Sequence, residues 1–183
     1  MSAKNSITTS HHINWNEAYG VGRKLLQKPS SASFGFYIIV AINTGLRIGD
    51  ILSLTKTDFD NGYKDFREQK TNKIKRLDFN SRIMDAYKYV KPVGELIFTS
   101  THKTTFSPQQ INRKLKQVFK YKRKNISSHS LRKSFGRKVY EQGGETDSIL
   151  NMLSQVFNHS STKITRTYLD ITQEEIADIY LNL

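Results

Sequence analysis

The sequence contains no cysteine and only three prolines and one tryptophan among 183 residues. The absence of cysteine excludes disulfide bonds, thiolate metal sites and cysteine catalysis, and it fits a cytoplasmic protein. No apolar run approaches the roughly 20 residues that a membrane-spanning helix needs. The first residues also lack the hydrophobic segment of a signal peptide. We therefore expect a cytoplasmic protein that does not use a membrane as its partner.

Acidic residues are also scarce, because 16 Asp and Glu stand against 29 Lys and Arg, giving a formal net charge of +13. This balance indicates an anionic partner, since Lys and Arg displace counterions condensed on nucleic acid. Between Leu96 and Tyr140 there are twelve Lys or Arg and no Asp or Glu. A solvated helix face is the alternative interpretation of such a run, and the net charge favours double-stranded DNA. The predicted DNA-binding residues are Lys73, Lys75, Arg113, Lys114, Lys116, Lys122, Arg123, Lys124 and Lys133.

The length and the hydrophobic pattern predict one mainly α-helical domain with a small antiparallel β-sheet, an α+β fold. Residues 1–14 are polar, and we expect them to be flexible. The run 34–42 is apolar almost all round and suits a buried helix or a central strand on pattern alone, and we favour the helix. Two short segments on either side of 69–73 are predicted to pair as strands. The other predicted helices are a first helix from Trp15 that ends near Pro29, 82–90, a segment starting at Ser107-Pro108, about 130–141, and a segment capped by Thr146 or Asp147 with Ile149, Leu150, Leu153 and Val156 inside.

Three short segments carry side chains suited to phosphate chemistry. Arg47 follows Thr44-Gly45-Leu46 at a predicted helix start, where free backbone amides favour an anion; an ordinary ion pair with Asp50 is the alternative. His129 and Arg132 are three residues apart and share one helix face; the alternative is a surface pair beside a DNA backbone. Arginine suits phosphate because its planar guanidinium donates two parallel hydrogen bonds.

The third segment contains His159 and Tyr168, which lie nine residues apart and would point to opposite sides of an unbroken helix. Ser160, Ser161 and Thr162 are good helix caps and are predicted to break the helix between them. A buried, satisfied histidine and a core or DNA-stacking tyrosine are the alternatives. If the three segments meet, two arginines, two histidines and one tyrosine converge on one phosphate.

Together these segments resemble the catalytic domain of the tyrosine recombinases, the phage integrase family. The run TGLRIGDILSL at 44–54 resembles the family's T-G-L-R-I-x-[ED]-L-x-x-L box, with Ile51 in place of leucine, and 129–132 resembles its H-x-L-R box. The family's L-G-H-S box, with a tyrosine nine residues after the histidine, resembles 157–168, where Phe157-Asn158 replaces Leu-Gly. QKTNK at 69–73 resembles a hairpin box G-K-x-N-K, which implies Lys70 as the catalytic lysine, with Lys73 and Lys75 as rivals.

The resemblance implies a site-specific DNA recombinase that works through a 3′-phosphotyrosyl intermediate, without a metal or a cofactor. The implied catalytic residues are Arg47, Lys70, His129, Arg132, His159 and Tyr168. Two other functions stay open: relaxation of DNA in the manner of a type IB topoisomerase, and a non-catalytic DNA-binding module on the same fold.

The resemblance also concerns domains and partners. We expect a single catalytic domain over 1–183. Family members typically carry a DNA-clamping helical domain before the catalytic domain, and we expect none here. The chain would then be either a catalytic fragment or a compact recombinase. Members assemble as four protomers on two DNA sites, in some cases with accessory DNA-bending proteins. Residues 171–183 are predicted to form a helix with one apolar stripe, which packs on a neighbouring protomer or on its own domain.

Overall fold

A computed structural model describes residues 10–67, 74–120 and 125–171. It is mainly helical with a small antiparallel sheet, which confirms the predicted fold class. None of the helices in these three ranges is long and apolar enough to span a bilayer. In chain order, the elements are α1 (Trp15–Leu26), α2 (Ala32–Thr44), α3 (Ile48–Leu52), α4 (Lys56–Asn61), β1 (Tyr63–Arg67), β2 (Ile74–Asp78), α5 (Ser81–Tyr87), α6 (Pro108–Val118), α7 (Ser128–Gln142), α8 (Asp147–Phe157) and α9 (Thr162–Tyr168).

The apolar run after Ser33 forms the central helix α2, which packs against α1, α5 and α7. A helix that is surrounded on all sides can be apolar all round, and its residues 36–42 are buried. Aromatic rings extend this centre, because Phe36 lies 5.0 Å from Phe59 and 5.7 Å from Phe98 between ring centroids. We call the cluster built around α2 the large core.

The sequence pattern did not predict a helix between α3 and the sheet, but residues 56–61 form α4. Its start is a capping box: the Thr55 hydroxyl accepts from the Asp58 amide, and the Asp58 carboxylate accepts from the Thr55 amide. Gly62 ends α4 in the left-handed region with φ of 80°, and the chain then enters β1. Strands β1 and β2 pair antiparallel from Tyr63↔Asp78 to Arg67↔Ile74, as predicted.

Helices α6, α7 and α8 begin close to the predicted positions. Ser107 and Gln110 form a capping box with Pro108 in the first turn of α6. Ser127 caps α7, which therefore starts slightly earlier than predicted. Thr146 caps α8, and its hydroxyl accepts from the Ile149 amide.

A second, smaller cluster joins the carboxyl-terminal half of α7 to α8 and α9. We call it the small cluster; it consists of Tyr140, Leu150, Leu153, Phe157, Tyr168 and Leu169. Helix α7 approaches it closely at Gly136, where an added Cβ would lie 2.5 Å from Leu169 Cδ2 and 2.8 Å from Phe157 Cζ. The prediction that Val156 points inward is wrong, since 42% of it is exposed. Leu150, Leu153 and Phe157 form the buried stripe of α8, and Val156 lies outside that stripe.

Candidate active site

Arg47 stands at the start of α3, as predicted, with an extended backbone conformation at the N-cap position. Its guanidinium Nη2 donates to the main-chain carbonyl of Phe157 at 3.3 Å. The alternative partner, Asp50, is not among the ion pairs of the described ranges. Arg47 therefore reaches across to the end of α8.

Arg132 reaches the same carbonyl from α7. Its Nη2 donates to the Phe157 oxygen at 3.2 Å, and its Nη1 donates to the carbonyl of Gly45. The side chain is only 6% exposed, and its Cζ lies 4.5 Å from the centroid of the Phe157 ring. Burial lowers the pKa of Arg132 to about 10, while Tyr168 opposes this shift. The guanidinium thus stays charged at neutral pH.

The two guanidiniums converge on one oxygen atom, each within 3.3 Å of it. That oxygen belongs to the last residue of α8, where helix carbonyls carry partial negative charge. Two fixed cations beside a single acceptor form a local positive field that suits an anion. The structure therefore brings together the arginines of the first two sequence segments, which are 85 residues apart in the chain.

His159 and Tyr168 join this site because the chain breaks between them, as predicted. Asn158 ends α8 in the left-handed region with φ of 54°, and the Ser161 hydroxyl caps α9. The rings of His159 and Tyr168 then meet edge to face with centroids 5.1 Å apart. The Phe157 ring contacts both, at 5.4 and 5.3 Å.

Tyr168 is 8% exposed, and its hydroxyl makes no hydrogen bond of normal geometry within the described part of the chain, although the Arg132 guanidinium lies close enough to favour the ionised phenol. Burial raises the pKa of Tyr168 to about 12, and the positive charges of Arg132 and Arg47 oppose that rise. Burial lowers the pKa of His159 to about 4, and the same two arginines add to the shift. At neutral pH both rings are therefore uncharged.

His129 lies in the first turn of α7 and is exposed. Partial loss of hydration lowers its pKa, followed by the positive charges of Arg132, Arg47 and Lys133. The imidazole of His129 therefore lies close enough to the two arginines for their charges to disfavour its protonation.

Lys133 requires a correction, because the prediction that it contacts DNA assumed a surface side chain. It is 1% exposed, and its ammonium pairs with both carboxylate oxygens of Asp170 at 2.9 and 3.0 Å. The ammonium also lies 5.4 Å from the centroid of the Tyr168 ring. The sequence carried a signal for this burial, since Gly136 and Tyr140 follow at helical spacing on the same buried face of α7.

The other predicted DNA-binding residues divide into three groups. Arg113 and Lys116 are exposed on α6, and Lys75 is exposed on β2. Lys114 points to another side, because its ammonium lies 5.5 and 5.6 Å from the rings of Phe34 and Phe106. Outside the described residues lie Lys70, Lys73, Lys122, Arg123, Lys124 and the predicted helix beyond 171.

Thr165 is a site residue that the sequence reasoning missed. It is fully buried, and its hydroxyl lies 3.0 Å from His159 Nδ1 and 2.8 Å from the hydroxyl of Ser154. Nothing in the sequence distinguishes it from the neighbouring Thr162 and Thr167. Within the described ranges, no three His, Asp or Glu side chains are grouped so that they could hold a metal ion.

Comparison with solved structures identifies the fold. The "Crystal structure of XerA recombinase" has a TM-score of 0.67 at 19% identity, over 96% of this chain and 65% of the other. The XerH site-specific recombinase bound to difH substrate has a TM-score of 0.65 at 19% identity, over 96% and 54%. The architecture is therefore that of the tyrosine recombinase catalytic domain.

Sequence comparison identifies the family. The chain is 33% identical over 153 residues to the "Probable integrase/recombinase YoeC" of Bacillus subtilis (strain 168), covering 79% of this chain and 81% of that protein. It is 28% identical over 149 residues to the tyrosine recombinase XerC of Agrobacterium fabrum (strain C58 / ATCC 33970), covering 75% of this chain and 46% of that one. The chain thus spans about half the length of that XerC. Since the family model for the Phage integrase family matches residues 22–175, the chain belongs to the phage integrase family.

Proposed function

We propose that this protein is a site-specific DNA recombinase that cuts and rejoins double-stranded DNA through a 3′-phosphotyrosyl link to Tyr168. The observation that carries the proposal is the convergence of Arg47 and Arg132 on one oxygen atom, beside the rings of His159 and Tyr168. A scissile phosphate at that position meets two guanidiniums, one imidazole and one phenol.

The arginines supply the electrostatic part of the reaction. A phosphate oxygen is a stronger acceptor for a guanidinium than the neutral carbonyl of Phe157, because both partners are then charged. Fixed donors aimed at developing negative charge stabilise the transition state without reorganising. Removing either arginine is expected to lower the cleavage rate by about 10²–10³.

The phenol supplies the nucleophile. Because its pKa is raised to about 12, Tyr168 must lose its proton as it attacks, and His129 accepts that proton in our mechanism. The attack forms the Tyr168–phosphorus bond and breaks the bond to the 5′ oxygen, which Lys70 protonates. The hydroxyl is buried in the free protein, so binding of DNA has to expose it.

The DNA partner is supported by charge and by relatives. The chain carries a formal net charge of +13, and Arg113 and Lys116 present cations on α6. The XerH structure is described as bound to difH substrate, and a lambda integrase structure as a dimer bound to a core site. We propose that this chain likewise binds double-stranded DNA and self-associates on it as four protomers on two DNA sites. Residues 171–183 are the candidate contact between protomers. Accessory DNA-bending proteins are further candidate partners.

The test uses nicked suicide duplexes drawn from DNA flanking the gene, followed by denaturing gel analysis. We expect a covalent protein–DNA adduct with the native chain and none with Tyr168→Phe. Tyr37→Phe is the matched control, since that hydroxyl is also buried without a hydrogen-bond partner but lies in the large core; it should keep the adduct.

Each other outcome points to a different function. An adduct with Tyr168→Phe would move the nucleophile to another residue. No adduct with the native chain on a site that it binds would favour the non-catalytic module. Relaxation of plasmids without a defined site would favour a topoisomerase.

A further inference from the structure

A chain of three hydroxyl and imidazole groups connects α8, α9 and the turn between them. Ser154 lies on α8, Thr165 on α9 and His159 in the turn. The Ser154 hydroxyl lies 2.8 Å from the Leu150 carbonyl and 2.8 Å from the Thr165 hydroxyl, which lies 3.0 Å from His159 Nδ1. Each contact is short enough to require one proton between its two atoms.

The carbonyl at one end of this chain fixes the direction of every hydrogen bond. A carbonyl can only accept, so the Ser154 hydroxyl donates to Leu150. Ser154 has no second proton, so the proton between the two hydroxyls belongs to Thr165, which faces the Ser154 oxygen at 2.8 Å and, at the longer distance of 3.4 Å, the accept-only carbonyl of Ser161. Thr165 then has none left for the ring, and His159 Nδ1 must be the donor. If the Ser154 hydroxyl donated to Thr165 instead, its oxygen and the Leu150 carbonyl oxygen would lie 2.8 Å apart with no proton between them.

We propose that Thr165 is a positioning residue that holds His159 as the Nδ1–H imidazole and so presents Nε2 to the scissile phosphate. The bond made by one ring nitrogen determines which protonation state the other one has. The geometric part of this proposal stands alone, whereas its catalytic meaning rests on the proposed function.

The assigned tautomer has a consequence for DNA binding. In the free protein, the Nε2 atom of neutral His159 carries a lone pair, which a phosphate oxygen would repel. Binding of phosphate therefore has to bring a proton to Nε2, against the charges that face the ring: Arg132 from α7 and Arg47 from the start of α3, with neutral Tyr168 from α9. Thr165 accepts from Nδ1 in both the neutral and the protonated ring, so the network does not rearrange.

The tautomer can be measured without DNA by ¹⁵N NMR of the histidine rings, with His159 assigned by its absence from His159→Gln. We expect Nδ1 of His159 to be protonated and Nε2 to be unprotonated at neutral pH. Ser154→Ala provides the matched variant: it removes the acceptor at 2.8 Å, and His159 Nδ1 at 3.0 Å is then nearer to the Thr165 hydroxyl than the Ser161 carbonyl at 3.4 Å, so the Nε2–H form should appear. A native His159 in the Nε2–H form would overturn the proposal.

The catalytic role is measured by single-turnover cleavage of the suicide duplex. Thr165→Val keeps the shape and removes the hydroxyl, and we expect a loss of about 10- to 100-fold, as is typical when the partner that orients a functional histidine is removed. The alkaline limb of the pH–rate profile should move to lower pH, because the protonated ring has lost its acceptor. Thr165→Ser keeps the hydroxyl and should restore both properties.

The outcomes separate this proposal from the proposed function. A native rate and pH profile in Thr165→Val would overturn the positioning role, as would a rate loss with no change in profile or tautomer. If the native chain forms no adduct at all, the proposed function fails, while the NMR result still decides the tautomer.

Discussion

The large core and the small cluster are built differently. The large core surrounds α2 with apolar side chains from most of the chain, and its contacts are mainly aromatic and aliphatic. The small cluster has six buried apolar members. It relies in addition on polar bonds: the hydroxyl chain from Ser154 to His159, and the buried ion pair of Lys133 with Asp170.

The two regions carry different residues of the candidate site. Tyr168 belongs to the small cluster, and His159 packs against its Phe157 and Tyr168 rings. Arg47 lies just beyond the end of α2, and Arg132 lies on α7, which spans both regions. Regions with few buried apolar contacts open at lower free energy than the main core. Tyr168, the proposed nucleophile, has a buried hydroxyl and lies in the region that we expect to open more easily.

The strongest test of this comparison removes one buried ring from each region. Phe59→Ala and Phe157→Ala should each cost about 3–5 kcal/mol. We expect Phe59→Ala to accelerate amide hydrogen exchange throughout the protein, because it weakens the scaffold. Phe157→Ala should accelerate exchange in α8 and α9 and leave α2 protected. Equal acceleration in α2 with Phe157→Ala would mean that both regions unfold as one unit.

The second test compares the loss of each partner of the buried ion pair, because the two losses should have different costs. Asp170→Ala leaves the Lys133 ammonium buried without its partner and should cost about 1–3 kcal/mol in the free energy of unfolding. Lys133→Met fills the same space without charge, and Asp170, which is 41% exposed, can turn to water. It should therefore cost less than Asp170→Ala in urea denaturation. The opposite order would show that the pair itself stabilises the small cluster.

Gly45 tests the junction between the two regions. It ends α2 with φ of 62°, and an added Cβ would lie 2.3 Å from Phe135 Cδ1. Gly45→Ala should cost at least about 1–2 kcal/mol from the left-handed backbone alone and should disturb Arg132, which donates to the Gly45 carbonyl. Gly49→Ala is the control, because its Cβ meets nothing within 4 Å, and thermal unfolding should be unchanged or shifted upward.

The smallest expected effect is the pH dependence of stability. The pKa of His159 is lowered to about 4 in the folded protein, against about 6.5 in an unfolded chain. Its contribution is therefore complete above about pH 6.5 and is lost as the pH falls towards 4. The thermal midpoint should decrease over this range, and His159→Gln should decrease less. Since the pKa of His129 is also lowered, some slope should remain. An unchanged slope in His159→Gln would contradict the assigned burial.

Much of the fold followed from local patterns. Three helices were predicted from local signals: α2 from its apolar run, α6 from the cap Ser107 and α8 from the cap Thr146. Helix α4 was missed although Thr55 and Asp58 have capping-box spacing, because Asp60-Asn61-Gly62 is a strong turn signal and suggested strands in this part of the chain. The prediction that Val156 points inward was wrong because the apolar residues of α8 are compatible with more than one buried face.

Most of the described residues of the candidate site were named from the sequence, but its geometry was predicted only in part, and Lys70 lies outside the described residues. The sequence named Arg47, His129, Arg132, His159 and Tyr168, and the serines after His159 indicated the break that lets the last two meet. The spacing of Gly136 and Tyr140 indicated a buried face that includes Lys133, but the sequence could not indicate that Asp170 is its partner, because the two residues lie 37 positions apart. Nor could it single out Thr165, because one threonine among several acquires a role only through its neighbours.

The sequence by itself determined which residue types are available and where helices begin and end, because caps and periodicity act over a few residues. Tertiary structure alone decided that two guanidiniums share the Phe157 carbonyl, that the Tyr168 hydroxyl is buried, and that His159 donates from Nδ1. Those properties depend on distances between segments far apart in the chain, and on the exclusion of water that only a packed interior provides.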